Sequence, residues 1–216
     1  MKGMNIKVKL CGMMRDCDID YANEAMPDYV GFIFADTRRR ISREQARSFR
    51  GQLKKEITAV GVFVDESPEI VAGYLNDGII EIAQLHGAED EFYIERLRAL
   101  APGAKLIKAA RVKSTEDIRK VANLSADYLL LDAMSAVTPG GTGSLFDWSL
   151  IDEAKTSKLL DKPWFLAGGI CADNIPQAAL QEPYGLDISS GIETAGAKDR
   201  EKMIEVVRSI RRLSNV

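Results

Sequence analysis

The residues of this chain best able to do chemistry stand at the ends of short apolar runs. Cys11 follows Val8–Leu10 and precedes Gly12, Asp132 closes Tyr128–Leu131, and the sole histidine, His86, lies in Gln84-Leu85-His86-Gly87. A thiol acts as nucleophile or base once ionised, and a carboxylate facing it could take the acid role. Each has a plainer reading too: Cys11 as a small buried hydrophobe, Asp132 as a turn residue, His86 as a hydrogen-bonding partner of a loop. Arg38, Arg39 and Arg40 form either a solvated basic turn or, through one inward guanidinium, a carboxylate clamp. The loops Gly168-Gly169 and Ser189-Ser190-Gly191 let backbone N–H groups approach an anion closely, with serine hydroxyls as extra donors. A glycine pair alone suits any tight turn; two such loops in register suit a phosphate. Asp65, Lys108 and Arg111 complete the polar run ends, whereas Cys17 and Cys171 read as structural and Phe146 and Trp148 as core or loop anchors.

These groups can converge only if the runs are strands of one sheet. The runs are Val8–Leu10, Tyr29–Phe34, Ala59–Val64, Ile79–Leu85, Lys105–Ala109, Tyr128–Leu131, Trp164–Ala167 and Leu186–Ile188. Their near-continuous apolar character suits strands buried on both faces of a parallel sheet. Amphipathic segments with helix-start signals lie between them. Ser42-Arg43-Glu44-Gln45 reads as a capping box. Ser67-Pro68-Glu69 supplies a cap, a first-turn proline and a carboxylate. Ser114–Asp117 and Asp173-Asn174 can open two more helices, and Asp199–Leu213 carries apolar residues at helical spacing. Eight such units take about 27 residues each, enough for right-handed strand–helix–strand crossovers. The pattern predicts a (β/α)8 barrel, one domain over residues 1–216, with its working residues at the C-terminal strand ends. The alternative is an open doubly wound sheet, but no GxGxxG turn follows the first strand. Asp132–Trp148 is the one long insertion.

Composition narrows the function classes. Hydrophobic residues at 46% and charged residues at 28% describe an ordinary globular chain. No stretch approaches the ~20 apolar residues of a membrane span, and the opening residues do not resemble a signal peptide. Three cysteines in no zinc spacing point to a reducing, cytoplasmic setting. A net charge of −3 argues against a nucleic-acid partner.

Taken in order, the strand-end motifs resemble those of the phosphoribosylanthranilate isomerases. Lys9-Leu10-Cys11-Gly12 is similar to that family's K-x-C-G opening. Gly31–Phe34, Thr37–Ser42, Gly61–Val64, Gln84–Gly87 and Leu130–Asp132 follow. Then come Gly140–Gly143 with Phe146–Trp148, Leu166–Ile170 and Asp187–Glu193, so that the likeness runs from about Lys7 to the final helix. The resemblance implies a single-domain TIM barrel without cofactor or metal, acting on a small phosphosugar–anthranilate substrate as a monomer or homodimer. The implied reaction is the Amadori rearrangement of N-(5-phosphoribosyl)anthranilate in tryptophan biosynthesis. It also implies roles: Cys11 as general base, Asp132 as general acid and Arg39 on the anthranilate carboxylate. His86 and Asp187 lie near the substrate, and Gly168, Gly169, Ser190 and Gly191 bind the phosphate.

The implied chemistry suits these residue types. Opening the furanose ring needs a proton for the ring oxygen, which a protonated Asp132 can give. The Schiff base that forms acidifies the sugar C2 hydrogen, which a Cys11 thiolate can then remove. There are departures: Met14 in place of a threonine, three arginines in place of Ser-Pro-Arg-Tyr, and Ala195–Asp199 in place of a Pro-Gly turn, for which no catalytic effect is expected. Two competing readings are another phosphosugar barrel, such as an epimerase or histidine-pathway isomerase, and a catalytically dead phosphate sensor. An aspartate at position 11 would have favoured the histidine-pathway enzyme; joint retention of Cys11 and Asp132 speaks against the sensor.

Overall fold

A computed structural model describes residues 5–133 and 149–214. Strands and helices alternate along the chain. The order is β1 (Lys7–Cys11), α1 (Asp16–Ala25), β2 (Tyr29–Ile33), α2 (Arg43–Gln52), β3 (Thr58–Phe63), α3 (Pro68–Asn76), β4 (Ile82–Leu85) and α4 (Glu91–Leu100). Then follow β5 (Lys105–Val112), α5 (Thr115–Ala122), β6 (Tyr128–Ala133), α6 (Ser149–Thr156), β7 (Trp164–Ala167), α7 (Ile175–Ala179) and β8 (Gly185–Ile188). After a 3₁₀ turn, Ser190–Ile192, come β9 (Glu193–Thr194), β10 (Ala197–Lys198) and α8 (Arg200–Ser214). The first eight strands form a closed parallel barrel, shut by β1 against β8 in the register Lys9↔Asp187. The open-sheet alternative is thereby excluded.

The two-residue period of a strand decides what faces the barrel axis. On β1, Val8 and Leu10 pack outward in the layer between barrel and helices, while Lys9 and Cys11 face inward. The interior is filled from below by Tyr29, Val60, Ile82, Ile107, Leu130 and Phe165. Phe165 is fully buried and meets Tyr29 and Tyr184 edge-on. Gly185 leaves room for it, since a Cβ there would stand 2.6 Å from the Phe165 ring. Above this plug Cys11 packs beside Ile33 and Val62, and Gln84, Asp132 and Asp187 add polar groups to the interior.

Local signals in the sequence act largely as expected. Ser42 and Gln45 form the reciprocal capping box of α2. Ser67 caps α3 ahead of Pro68, and Ser114 and Asp117 box the start of α5. Asn174 differs. It stands at the start of α7 but does not cap it; its side chain accepts from the Cys171 N–H and donates to the Gly169 carbonyl, tying the loop after β7. The predicted strand Ile79–Leu85 is shortened to Ile82–Leu85, because the Ile79 N–H closes on the Tyr74 carbonyl at the end of α3. Ile79 and Ile80 are buried without being in the barrel. β5 runs past Ala109 to Val112, so Arg111 belongs to the strand and its side chain faces the mouth. Among the described residues no helix is long and apolar enough to cross a membrane.

Candidate active site

The C-terminal strand ends enclose a cavity of about 440 Å³. Cys11 enters from β1, Gln84 and His86 from the end of β4, Arg111 from β5, Asp132 from β6 and Asp187 from β8. Arg39 closes one side from the loop after β2, and Gly168, Gly169 and Ser190 the other. The alternation that points Leu130 into the barrel also points Asp132 into the mouth, two residues further on.

Cys11 is 6% exposed. Its Sγ lies over Gly31 of β2, where a Cβ would approach it to 2.5 Å. Burial pushes the thiol up, Lys9 opposes that, Asp187 adds to it, and Lys198 opposes it in turn. Lys9, two residues before Cys11 on the same inward face, is fully buried with its Nζ 3.0 Å from Asp187 Oδ1. Burial alone would lower the Lys9 pKa, but Asp187 and the thiol together raise it. Such a buried charge persists only when paired.

Asp132 is partly exposed, and its Oδ2 stands 3.5 Å from His86 Nε2. Gln84 presents its amide nitrogen to His86 Nδ1 at 3.3 Å. With that nitrogen as donor, Nδ1 accepts and the ring proton lies on Nε2, facing Asp132. The Gln84 Oε1 is buried with no hydrogen-bond partner among the described residues, leaving an acceptor beside the cavity. The His86 loop is braced from outside. Glu89 accepts from the Asp65 and Gly87 N–H groups and from Lys108 Nζ at 2.7 Å, and Asp65 Oδ1 accepts from the Ala88 N–H. Asp65 and Lys108, flagged as strand-end groups, therefore lie outside the cavity and support its wall.

Arg39 does line the cavity, but its guanidinium is also held by Glu193, Nε to Oε1 at 2.7 Å and Nη2 to Oε2 at 3.0 Å. Arg38 points to the same carboxylate and to the Gly196 carbonyl. Burial pushes Glu193 up, yet donors from Arg39, Lys198 and Arg38 hold it at about 2. Gly168 and Gly169 both adopt positive φ, 94° and 65°, which favours glycine. Gly191 does not line the cavity. A Cβ there would stand 2.0 Å from the Ile170 carbonyl oxygen, so its hydrogen lets the loops after β7 and β8 meet backbone to backbone. Ser189 Oγ donates to the Cys11 carbonyl, linking that loop to β1.

Comparison with known proteins sets this geometry in a family. A family model described as N-(5'-phosphoribosyl)anthranilate isomerase matches residues 8–209. The chain belongs to the N-(5'-phosphoribosyl)anthranilate isomerase family. An isomerase of that name from Lachnoclostridium phytofermentans is 42% identical over 208 residues, covering 93% of this chain and 95% of the relative. The crystal structure of the isomerase from Thermotoga maritima superposes with a TM-score of 0.82 at 31% identity, covering 96% of this chain and 99% of that one. A further solved isomerase, in complex with reduced 1-(o-carboxyphenylamino)-1-deoxyribulose 5-phosphate, gives 0.79 at 30% identity, again covering 96% and 99%.

Of the residues singled out from the sequence, the structure brings Cys11, Arg39, His86, Asp132, Gly168, Gly169, Asp187 and Ser190 around one cavity. Sequence reasoning gave Lys9 and Glu193 no role beyond their motifs and expected nothing of Ala195–Asp199. That segment forms β10 and carries Lys198, a lysine 3% exposed, into the site. The signal for Lys9 was present: a lysine inside an apolar strand, in phase with Cys11. Lys198 gave none: Glu193 and Ser189, which it holds, are only five and nine residues away, but the β1 end that its Nζ approaches at Gly12 is distant in sequence. Phe146, Trp148 and Gly140–Gly143 lie outside the described residues. Among the described residues no cluster of three or more His, Cys, Asp or Glu side chains could hold a metal ion.

Proposed function

We propose that this chain catalyses the Amadori rearrangement of N-(5-phosphoribosyl)anthranilate to 1-(2-carboxyphenylamino)-1-deoxy-D-ribulose 5-phosphate, in the cytoplasm, as a step of tryptophan biosynthesis. The observation that carries the reading is the presence of Cys11 and Asp132 on separate strands of one cavity, in a chain matched by the family over residues 8–209. Asp132 delivers a proton to the ring oxygen as the C1–O bond breaks, and the anilinic nitrogen lone pair forms the C1=N bond. The Cys11 thiolate then takes the C2 proton. The electrons of that C–H bond become a C1=C2 double bond, and the nitrogen regains its lone pair. Protonation of the resulting enaminol at C1, with loss of the C2 hydroxyl proton as its electrons form the C2=O bond, gives the aminoketose.

The remaining cavity residues hold the substrate between two anchors. Gly168, Gly169 and Ser190 take the phosphate through backbone N–H groups and a hydroxyl, and Gly191 lets their two loops pack together. Arg39, steadied by Glu193, presents its guanidinium to the anthranilate carboxylate. Fixing both ends places C2 and the ring oxygen between base and acid, turning binding energy into orientation. His86 and Asp187 sit beside the acid and beneath the base respectively, the latter through Lys9.

The test is turnover of phosphoribosylanthranilate by the purified protein, with rescue of a tryptophan auxotroph lacking this single step. Cys11→Ser and Asp132→Asn should each lower kcat by about 10²–10⁴-fold with little change in unfolding midpoint. Near-normal turnover in both variants would remove the mechanism. Failure of the soluble protein to rescue would favour a different phosphosugar substrate.

A further inference from the structure

A cysteine acts as a base only as its thiolate, yet Cys11 lies in a pocket 6% exposed, where burial favours the neutral thiol. Something in the site must hold the anion. Two ammonium groups from different elements lie close enough to favour the thiol's charged form. Lys9 rises from the layer below on β1, oriented by Asp187 at 3.0 Å. Lys198 arrives from β10, where its Nζ donates to the Ser189 carbonyl and to Glu193 Oε1, each at 2.9 Å. That Nζ stands 3.5 Å from where a Cβ of Gly12, the residue after Cys11, would lie. Both lysine side chains are 0% exposed. Arg15 donates to the Lys198 carbonyl and so ties the short hairpin to the start of α1.

The charges around the thiol do not cancel. Lys9, Lys198, Arg39 and Arg38 face only two carboxylates, Asp187 and Glu193. Two positive charges are left over, one for a thiolate and one for an incoming anion. From the far side of the mouth, Asp132, His86 and Arg111 share the cavity. The Arg111 guanidinium makes no hydrogen bond or ion pair with the other described residues; its β5 position neighbours Asp132 in register.

We propose that Lys9 and Lys198 are positioning residues that cradle the Cys11 thiolate between two buried ammonium groups, with Asp187 and Glu193 aiming them. The proposal rests on Cys11 as the base of the rearrangement. The lysines exchange no proton with substrate. They stabilise S⁻ before it takes the C2 proton and becomes S–H. Lys198 also holds Glu193, which in turn holds Arg39, so the hairpin couples the base to the carboxylate clamp.

The experiment reads the thiol directly. In a Cys17→Ser/Cys171→Ser background Cys11 is the sole thiol, and its alkylation rate by iodoacetamide is followed against pH. Lys198→Met should move the alkylation midpoint upward by about one pH unit, slowing the reaction about tenfold at neutral pH. Lys198→Arg should restore most of it, and Lys9→Met should shift it the same way. In turnover the loss should fall on kcat, with its pH profile displaced to the alkaline side, and in Lys9→Met, which leaves the Glu193–Arg39 pair intact, KM should change less than about twofold. An unmoved alkylation midpoint in folded Lys198→Met overturns the proposal, whatever Lys9→Met does. Because alkylation needs no substrate, a parent protein inactive on phosphoribosylanthranilate would refute the assigned reaction while leaving the cradle decided by the midpoint.

Discussion

Gly31→Ala probes how closely the thiol must be placed. Gly31 pairs with Cys11 across β2 and β1. A Cβ added there would lie 2.5 Å from Cys11 Sγ, 3.1 Å from its Cα and 3.2 Å from its Cβ. Ordinary contact begins at 3.4 Å, so the sulfur must retreat by about 0.9 Å, near the 1 Å misplacement that costs a positioned group about 10²-fold in rate. The backbone contacts leave the two strands to part by a few tenths of an ångström, an overpacking penalty of about 1–3 kcal/mol. For a chain of this size each kcal/mol lowers Tm by roughly 2–4 °C. Steady-state turnover of phosphoribosylanthranilate and a thermal melt measure both effects. Gly51→Ala is the control: it lies in α2 with nothing within 4 Å of the new methyl. It should gain about 0.5–1 kcal/mol and keep its kcat. A folded Gly31→Ala with parental kcat would refute the placement of Cys11 as the group whose position limits the reaction.

Other outcomes follow from the same geometry. Lys108→Met strands Glu89, whose carboxylate is 1% exposed, and should cost about 3–5 kcal/mol in urea unfolding. Adding Glu89→Gln should recover part of that loss, and no recovery would mean the ion pair is not what holds the His86 loop. Glu193 is held at about 2 against an ordinary value of 4.5. Its contribution to stability is therefore complete above 4.5 and shrinks as pH falls from there through 2. The gap in unfolding free energy between parent and Glu193→Gln should be widest near neutral pH and close toward pH 2; a gap independent of pH would show that the carboxylate's charge is not what stabilises this corner.

The chain order of strands and helices was readable because its causes are local. Apolar runs, the Ser42 and Ser114 capping boxes and Pro68 each act within one turn or one strand. The inward set of each strand follows from the period of two once one residue is known to face the axis, so Cys11 and Asp132 were legible as partners in a single mouth. Boundaries were less so: Ile79 and Ile80 look like strand residues, but the Tyr74 carbonyl captures their N–H groups before the barrel begins. Only barrel closure could decide the pairings that tune the site. Register sets Lys9 beside Asp187 across 178 positions, and the hairpin after β8 drops Lys198 next to Cys11 and gives Glu193 to Arg39. A sequence records which groups can ionise. Their charge state depends on burial and on neighbours brought in from elsewhere in the chain, and both exist only after the β1–β8 seam has closed.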